Sequence, residues 1–574
     1  MNNIALIGIG PHAKRIYLHY FKKKKVNFEL VVDLESKKDS IRKYLDENGF
    51  ENTKIFTLPD KYKDDEHLPE KISSHLLKVC KILGITHLII STEPKAHYMY
   101  LEFALKNNIN VLTDKPITVT KNMTSLQSIE KIRKQYYEIL ELAKNSKGIC
   151  KVMCQRQYHR GYEMIKEVLS DAVDKYQMPI TNIDIFHSDG AWEMPHDLEK
   201  ENHPYKYGYG KLFHSGYHFI DLLSDFIKIN DSLGGNKKIV DGDVYSKVFT
   251  PNDEINILNI EDYKRLFKNQ NIPDYYNKIE NPTFDNYGEK DYHGLLTFYN
   301  KEGFTITTAS LNLLHNGVSR RSWIETKDFY KSNGRIRHER MNIEIGHLLN
   351  IQIHSYQSKE ICDRTDDEEK VGGLEHFDIY FFNNPLIDKE PFREIHLGDM
   401  YSENEKKEFL GYNELSRERF LDNFLNNIDC KGDIRDQALA IEILYACAKG
   451  VHNHYAKKNK VEKILVRNDF TYRFISKRLK EYSDNSDNIY DPKTLDNKMV
   501  YKDIYTIYLF KKYVEKKNYY EVFISIDDTT NVAGNLLTKR FKSNVFASLY
   551  YKILEYIISN KKVTYLERII EKYS

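Results

Sequence analysis

Two glycines and an aspartate near the N-terminus have the types and spacing needed to hold the phosphates and sugar of a dinucleotide. In Gly8-Ile9-Gly10-Pro11-His12-Ala13, Gly8 permits a tight turn and Gly10 lets the backbone approach a pyrophosphate. The small Ala13 allows the next helix to pack closely on the preceding strand. Free N–H groups at that helix start attract the anion. Asp33 follows twenty residues beyond Ala13, where a carboxylate accepts hydrogen bonds from an adenosine ribose 2′-OH. Such a carboxylate repels a 2′-phosphate and favours NAD. Lys37 and Lys38 lie just beyond it and can receive that phosphate, so NADP stays open.

These residues need a strand–turn–helix–strand unit to bring them together, and the flanking text supplies one. Ile4 to Ile9 is a continuous apolar run suited to a strand buried on both faces, Lys14 to Lys25 reads as a helix, and Phe28 to Val32 is a second apolar run ending at Asp33. Lys22 to Lys25 are cations at the C-terminus of that helix, where the macrodipole favours them. Two further buried strands are expected at Ile85–Thr92 and Val111–Thr113, with a helix over Tyr98–Lys106 between them.

The loops after those strands read Thr92-Glu93-Pro94-Lys95-Ala96-His97 and Asp114-Lys115-Pro116. A later turn reads Gly208-Tyr209-Gly210-Lys211-Leu212-Phe213-His214-Ser215-Gly216-Tyr217-His218-Phe219-Ile220-Asp221. This text resembles the Gfo/Idh/MocA oxidoreductases, the family of glucose–fructose oxidoreductase and inositol dehydrogenase. Members carry a Thr-Pro-x-x-x-His loop, a strand ending in Glu-Lys-Pro, and a Gly-rich turn leading to Asp-x-x-x-His. His218 and Asp221 fall on the family's His and Asp, Asp114 shortens the family's Glu, and His214 stands where relatives often carry Asp. A looser match runs from Asp436-Gln437-Ala438 to Gly450, preceded by Phe420-x-x-x-Phe424. The resemblance covers about residues 1–455.

It implies a Rossmann dinucleotide-binding domain (1–150), an α+β substrate and oligomerisation domain with a mostly antiparallel sheet and insertions (151–455), and hydride transfer with NAD or NADP. The implied substrate is a sugar, sugar phosphate, nucleotide sugar or cyclic polyol. Gly8, Gly10, Pro11, His12, Ala13, Asp33, Thr92, Pro94, His97, Asp114 and Lys115 are the implied cofactor-facing set. An alkoxide must form as hydride leaves a secondary alcohol, so a group with pKa near neutrality is wanted to take the hydroxyl proton. His218 is the candidate. Lys115, at a strand's C-terminal end, can stabilise the developing charge. His214 lies four residues before His218 and shares its helix face; it cannot supply a fixed negative charge, and it binds substrate, shares the proton relay, marks a site that has changed use, or is a helix-face residue hydrogen-bonded to backbone. Asp221 serves as a cap or orienting group. Arg156 is either a bidentate clamp for a substrate phosphate or carboxylate, or a surface ion pair. His97 shapes the cofactor loop or makes a structural hydrogen bond.

At 574 residues, two to four domains are expected. With 86 Lys+Arg against 84 Asp+Glu, no global field advertises nucleic acid or an anionic membrane. Six cysteines are too few for a disulfide scaffold, and the one close pair, Cys150 and Cys154, has the wrong spacing for zinc, so no metal is expected. No targeting leader and no apolar run of about 18 residues are read, which points to a cytoplasmic protein. Strands are expected at Gly294–Tyr299, Thr305–Leu314, Met341–Gly346 and Phe377–Phe382, with insertions at Thr250–Tyr287 and Lys359–Lys370. Relatives use the face of such a sheet for homo-oligomers. Residues 456–574 carry 24 Lys+Arg against 15 Asp+Glu. Tyr501–Val514, Phe546–Ser559 and Val563–Tyr573 read as helices of a basic C-terminal extension, for which solvated lysines on a helical core outweigh nucleic-acid binding. Two other functions remain open: an imine or ketone reductase of secondary metabolism, and a non-catalytic nucleotide-binding regulator.

Overall fold

The computed structural model describes residues 3–26, 28–190, 198, 204–266, 283–315, 337–357, 375–402, 412–426, 431–466, 495–501, 505–514, 517–526 and 535–541. The chain divides into two compact units, Met1–Val466 and Arg467–Ser574.

Six strands open the first unit: β1 (Ile4–Ile7), β2 (Leu30–Leu34), β3 (Lys54–Leu58), β4 (His87–Ile90), β5 (Asn110–Thr113) and β6 (Cys150–Val152). All pair in parallel, in the order β3-β2-β1-β4-β5-β6. This is the Rossmann order, with its switch point beside β1, and such sheets take ligands at the C-terminal ends of their strands. The connecting helices include α1 (residues 11–24, π-wound over Lys14–Leu18), α2 (Lys38–Glu47), α3 (Glu70–Ile82), α4 (His97–Lys106) and α5 (Leu126–Asn145). Burial on both faces explains the unbroken apolar text of β1 and the Leu88–Ile90 run of β4; every residue of both strands is buried. Helix α1 ends with Lys22, Lys23 and Lys24 in its last turn and a left-handed Lys25 at φ 52°, the cation-rich terminus its sequence foretells.

The second sheet has nine strands in the order β14-β13-β12-β11-β7-β10-β9-β8-β15. They are β7 (Asn182–Ser188), β8 (Asp241–Phe249), β9 (Asp291–Tyr299), β10 (Thr305–Leu314), β11 (Arg337–Ile345), β12 (Leu349–Gln357), β13 (Glu375–Asn383), β14 (Phe392–Ile395) and β15 (Val461–Ile464). All pairs are antiparallel except β7 with β10. Burial alternates along β10, with Thr307, Ala309, Leu311 and Leu313 buried, as a sheet covered on one face requires. Helices α6 (Arg160–Tyr176) and α7 (residues 212–229, π-wound over Leu212–Gly216) belong to this domain. Two more, α8 (Tyr412–Leu425) and α9 (Ala438–Tyr455), lie between β14 and β15 in sequence. Helix α8 departs from the linear domain boundaries. It returns to the Rossmann core, where Phe420, Leu421, Phe424 and Leu425 share one apolar cluster with Ile4, Tyr17, Phe21 and Phe28. Tyr20 donates to Asp422 at 2.6 Å beside it.

The C-terminal expectation needs correction. The basic extension was placed from residue 456, yet β15 at Val461–Ile464 pairs with β8 and completes the second sheet. Tyr501–Val514, expected to be helical, instead supplies all of β17 (Tyr505–Val514) and the last residue, Tyr501, of the strand before it. Strand β17 lies in an antiparallel meander with β16 (Leu495–Tyr501), β18 (Lys517–Ile526) and β19 (Asn535–Phe541). Phe546–Ser559 and Val563–Tyr573 lie outside the described residues, as does the loop Lys359–Lys370. The insertion from Thr250 begins with two short helices, Pro251–Ile257 and Ile260–Leu266. A capping box starts the first of them: Thr250 Oγ1 accepts from the Asp253 N–H and the Asp253 carboxylate from the Thr250 N–H.

Candidate active site

The glycine turn after β1 is held by sterics that only glycine satisfies. Gly8 has φ +84°, and a Cβ there would stand 2.7 Å from the Ser91 carbonyl oxygen and 2.8 Å from Thr92 Cγ2. Gly10 differs: its backbone is extended (φ −72°, ψ 180°), and an added Cβ would meet nothing within 4 Å. It opens onto a cavity of about 480 Å³ that Pro11 and His12 also line. No side chain caps the start of α1, so its first N–H groups are presented as an anion site. Ala13 is fully buried behind the turn. Asp33 closes the other end of β2. Its Oδ2 accepts from the Ile9 N–H at 2.9 Å, its Oδ1 from the Leu34 N–H at 2.7 Å, and Lys37 Nζ stands 3.3 Å from Oδ1.

The loops after β4 and β5 are stitched to each other and to α1. His97, fully buried, bridges two carbonyls, with Nδ1 2.9 Å from Pro116 O and Nε2 3.2 Å from Thr92 O. Burial pushes its pKa below the usual imidazole value. Asp114 Oδ1 accepts from Tyr17 Oη at 2.6 Å and Oδ2 from Ser91 Oγ at 2.6 Å, with His12 Nε2 3.6 Å away. Burial alone would raise this carboxyl, but His12, Ser91 and Tyr17 together hold it well below the ordinary range. It is therefore a fixed anion beneath the cavity.

The opposite wall comes from the start of α7. Gly208 (φ +80°) and Gly210 are required here: a Cβ on Gly210 would collide with the backbone of Glu289 at 1.9 Å. Glu289 Oε1 accepts from the Leu212 N–H at 2.7 Å, and burial pushes its pKa up to about 7. Lys211, fully buried, donates to Asp189 at 2.6 Å and meets His187 Nδ1 at 2.8 Å, and Ser215 Oγ also donates to Asp189, at 2.7 Å. Thus pinned, the π-wound turn directs its His214 carbonyl to the Lys115 ammonium, which donates to it.

Lys115, His214 and His218 line the same cavity as Gly8, Gly10, Asp33, Thr92, Pro94, His97 and Asp114. Burial lowers Lys115 to about 8, with Arg417 and Arg156 assisting against the opposite pull of Asp114 and Asp189. Burial, then Lys115, Arg156 and Arg417, drive His218 well below its usual value, so its imidazole is neutral at pH 7. The Gln155 amide approaches His218 Nε2 at 3.3 Å, while Nδ1 is buried without a protein hydrogen-bond partner among the described residues.

Arg156 departs from its expected role. It does not line the cavity; it is buried, pairs with Glu339 and lies 4.5 Å over the Phe219 ring. It is therefore neither a clamp in the cavity nor a surface pair. Asp221, one turn below His218, takes two hydrogen bonds from Gln157 and one from Gln437; burial and Asp225 raise its pKa, and it stays outside the cavity lining. The motifs missed Gln155, Tyr207, Tyr209 and Arg417, all of which line the cavity. Tyr209 sits inside the Gly208–Gly210 turn read from sequence, and Arg417 precedes Phe420, Leu421 and Phe424 by three, four and seven residues, a cation on the buried stripe of its helix.

No family model and no curated protein matches the sequence. Among solved structures, 218 chains match. The WlbA dehydrogenase from Bordetella pertussis, in complex with NADH and UDP-GlcNAcA, is 10% identical, with 82% of this chain and 98% of that one covered at a TM-score of 0.44. An oxidoreductase domain protein from Kribbella flavida is 13% identical over 81% and 100% of the two chains, at 0.46. The apo scyllo-inositol dehydrogenase from Lactobacillus casei is 14% identical over 81% and 98%, at 0.42. Four thiols, Cys80, Cys150, Cys154 and Cys447, are free and buried. Among the described residues no helix is long and apolar enough to cross a membrane, and no cluster of three metal-ligating side chains occurs.

Proposed function

We propose that this chain is an NAD(P)-dependent oxidoreductase that moves a hydride between nicotinamide and a small substrate bearing a secondary hydroxyl or a ketone. One observation carries the reading: Lys115 and His218 face one cavity with the glycine turn and Asp33. The residues fit the cofactor. Gly10 leaves open the space a pyrophosphate needs, α1 offers uncapped N–H groups, and Asp33 stands where a ribose would lie. NAD is favoured by Asp33, while Lys37 and Lys63, which also line the cavity, leave room for a 2′-phosphate.

When bound, the nicotinamide supplies or accepts the hydride. The chain handles the proton. A lysine at about 8 is mostly ammonium at pH 7 yet exchanges its proton readily, which suits a general acid in ketone reduction and, once deprotonated, a base in alcohol oxidation. His218 was the expected base, but an imidazole held far below 6.5 is a poor proton carrier. We assign its buried Nδ1 to donate a hydrogen bond to the reacting oxygen, and the proton to Lys115. Asp114 keeps Lys115 from losing its charge altogether. His214 is assigned to the substrate side. The substrate reading is a sugar, sugar phosphate, nucleotide sugar or cyclic polyol, carried by the family resemblance. A homo-oligomer through the second sheet is supported by the paired Phe382 and Phe392, exposed aromatic residues at that sheet's edge.

The test is NADH and NADPH binding followed by turnover on a panel of sugars and polyols. Lys115→Met and His218→Gln should each keep cofactor binding and lose turnover by about 10²-fold or more. Tight nucleotide binding with no turnover on any hydroxyl or ketone substrate would favour a regulator instead.

A further inference from the structure

Arg417 comes from α8, about three hundred residues after Lys115 in sequence, and is the one arginine among the described residues lining the cavity. Its side chain is 11% exposed, so the guanidinium is held among protein groups in the cavity that Lys115, His214 and His218 also line. The nearby carboxylates do not balance it. Arg417 Nη1 donates to Glu414 Oε1 at 3.2 Å, and the same oxygen is approached by Arg15 Nη1 at 3.6 Å. One carboxylate oxygen thus serves two guanidiniums. Asp114, the next acid in the cavity, is engaged by Tyr17, Ser91 and His12. Lys115 and Arg417 therefore line one partly enclosed volume in which Asp114 is the fixed anion beside Lys115, while the carboxylate paired with Arg417 is shared with Arg15. Holding such charge in a low-dielectric pocket is costly unless a ligand supplies the counter-charge. A guanidinium presents a fixed fork of donors matched to a carboxylate or phosphate.

Resting on the dinucleotide reading above, we propose that Arg417 binds an anionic oxygen group, a carboxylate or phosphate, within the cavity. It thereby performs the clamping role that Arg156, outside the cavity lining, does not. Two ligands can bring that group: an acidic or phosphorylated substrate, or the diphosphate of the cofactor. In the first case the enzyme selects acidic sugars over neutral ones.

The experiment uses the full chain and the variants Arg417→Gln, Arg417→Lys and Arg15→Gln, each checked by circular dichroism and melting. Arg15 shares Glu414 but does not line the cavity. NADH fluorescence gives the cofactor affinity. Protein saturated with NADH is then titrated with glucuronate, glucose 6-phosphate and glucose, with thermal shift as readout. Binding of either acidic sugar but not glucose, weakened about 10- to 100-fold in R417Q with NADH affinity unchanged, supports the substrate source. A similar loss in NADH affinity itself supports the cofactor source. In both cases R417K should retain part of the binding, and R15Q nearly all; if R417Q does not fold, R417K gives the reading. NADH binding and acidic-sugar binding both indifferent to residue 417 would overturn the proposal while leaving the dinucleotide reading intact. Failure of the wild-type chain to bind NADH or NADPH would overturn both.

Discussion

Lys115→Met separates the electrostatics of the site from any knowledge of the substrate. Lys115 falls from 10.5 to about 8 on folding, and a shift of that size corresponds to about 3 kcal/mol of stability. This is an upper value, since the residue is half-buried. Below pH 8 both folded and unfolded chains carry the ammonium, and folding bears the full cost of placing it there. Between pH 8 and 10.5 the folded chain has lost the proton that the unfolded chain still holds, so wild-type stability rises with pH. Above 10.5 the cost is gone. Methionine keeps the length and apolar stem but cannot charge. K115M should therefore melt higher than wild type at pH 7, by up to about 6 °C at roughly 2 °C per kcal/mol, and the gap should close between pH 8 and 10.5. Differential scanning calorimetry across that range is the assay. A gap that does not change with pH, or a K115M that melts below wild type at pH 7, would refute the account of Lys115 as a strained ammonium.

The two glycines of the first turn should behave oppositely. Gly10→Ala should melt like wild type, since its Cβ enters open space, yet bind NADH at least about tenfold more weakly by fluorescence titration. Gly8→Ala should lose roughly 1–3 kcal/mol in denaturant unfolding, because it combines a positive φ with a 2.7 Å clash. Glu289, raised by burial to about 7, contributes stability below pH 4.5 that is lost as pH rises through 7. Glu289→Gln should thus gain on wild type across that interval, by at most about 3 kcal/mol, in melts at stepped pH. Lys37→Glu should lower the ratio of NADPH to NADH affinity, and an unchanged ratio would remove Lys37 from cofactor choice.

Residues that are near neighbours in sequence reach one cavity through local structure alone. Gly8, Gly10 and Ala13 span six residues, and the turn they encode needs only the strand before and the helix after. The loops at Thr92 and Asp114 and the His214–His218 pair are similarly local, and a parallel sheet brings all strand C-termini to one edge once its order is right. What was lost is long-range. Glu339 captures Arg156 from 183 residues away, and no spacing rule announces that pairing. Arg417 reaches the cavity because α8 packs back on the first domain. The extension failed for another reason: Tyr505–Phe510 packs Ile, Tyr, Leu and Phe in near succession before two lysines, a short run whose period is ambiguous, and its β-forming residue types should have decided the choice.

The central claim is that a dinucleotide lies over the glycine turn with its reactive ring beside Lys115. A crystal structure of the full chain soaked with NADH tests it directly. The account predicts diphosphate density at Gly10 and the start of α1, and a nicotinamide C4 facing a space that Lys115 Nζ and His218 both border within about 4 Å. A dinucleotide bound elsewhere, or a ring turned away from Lys115 with those side chains facing another volume, would contradict it.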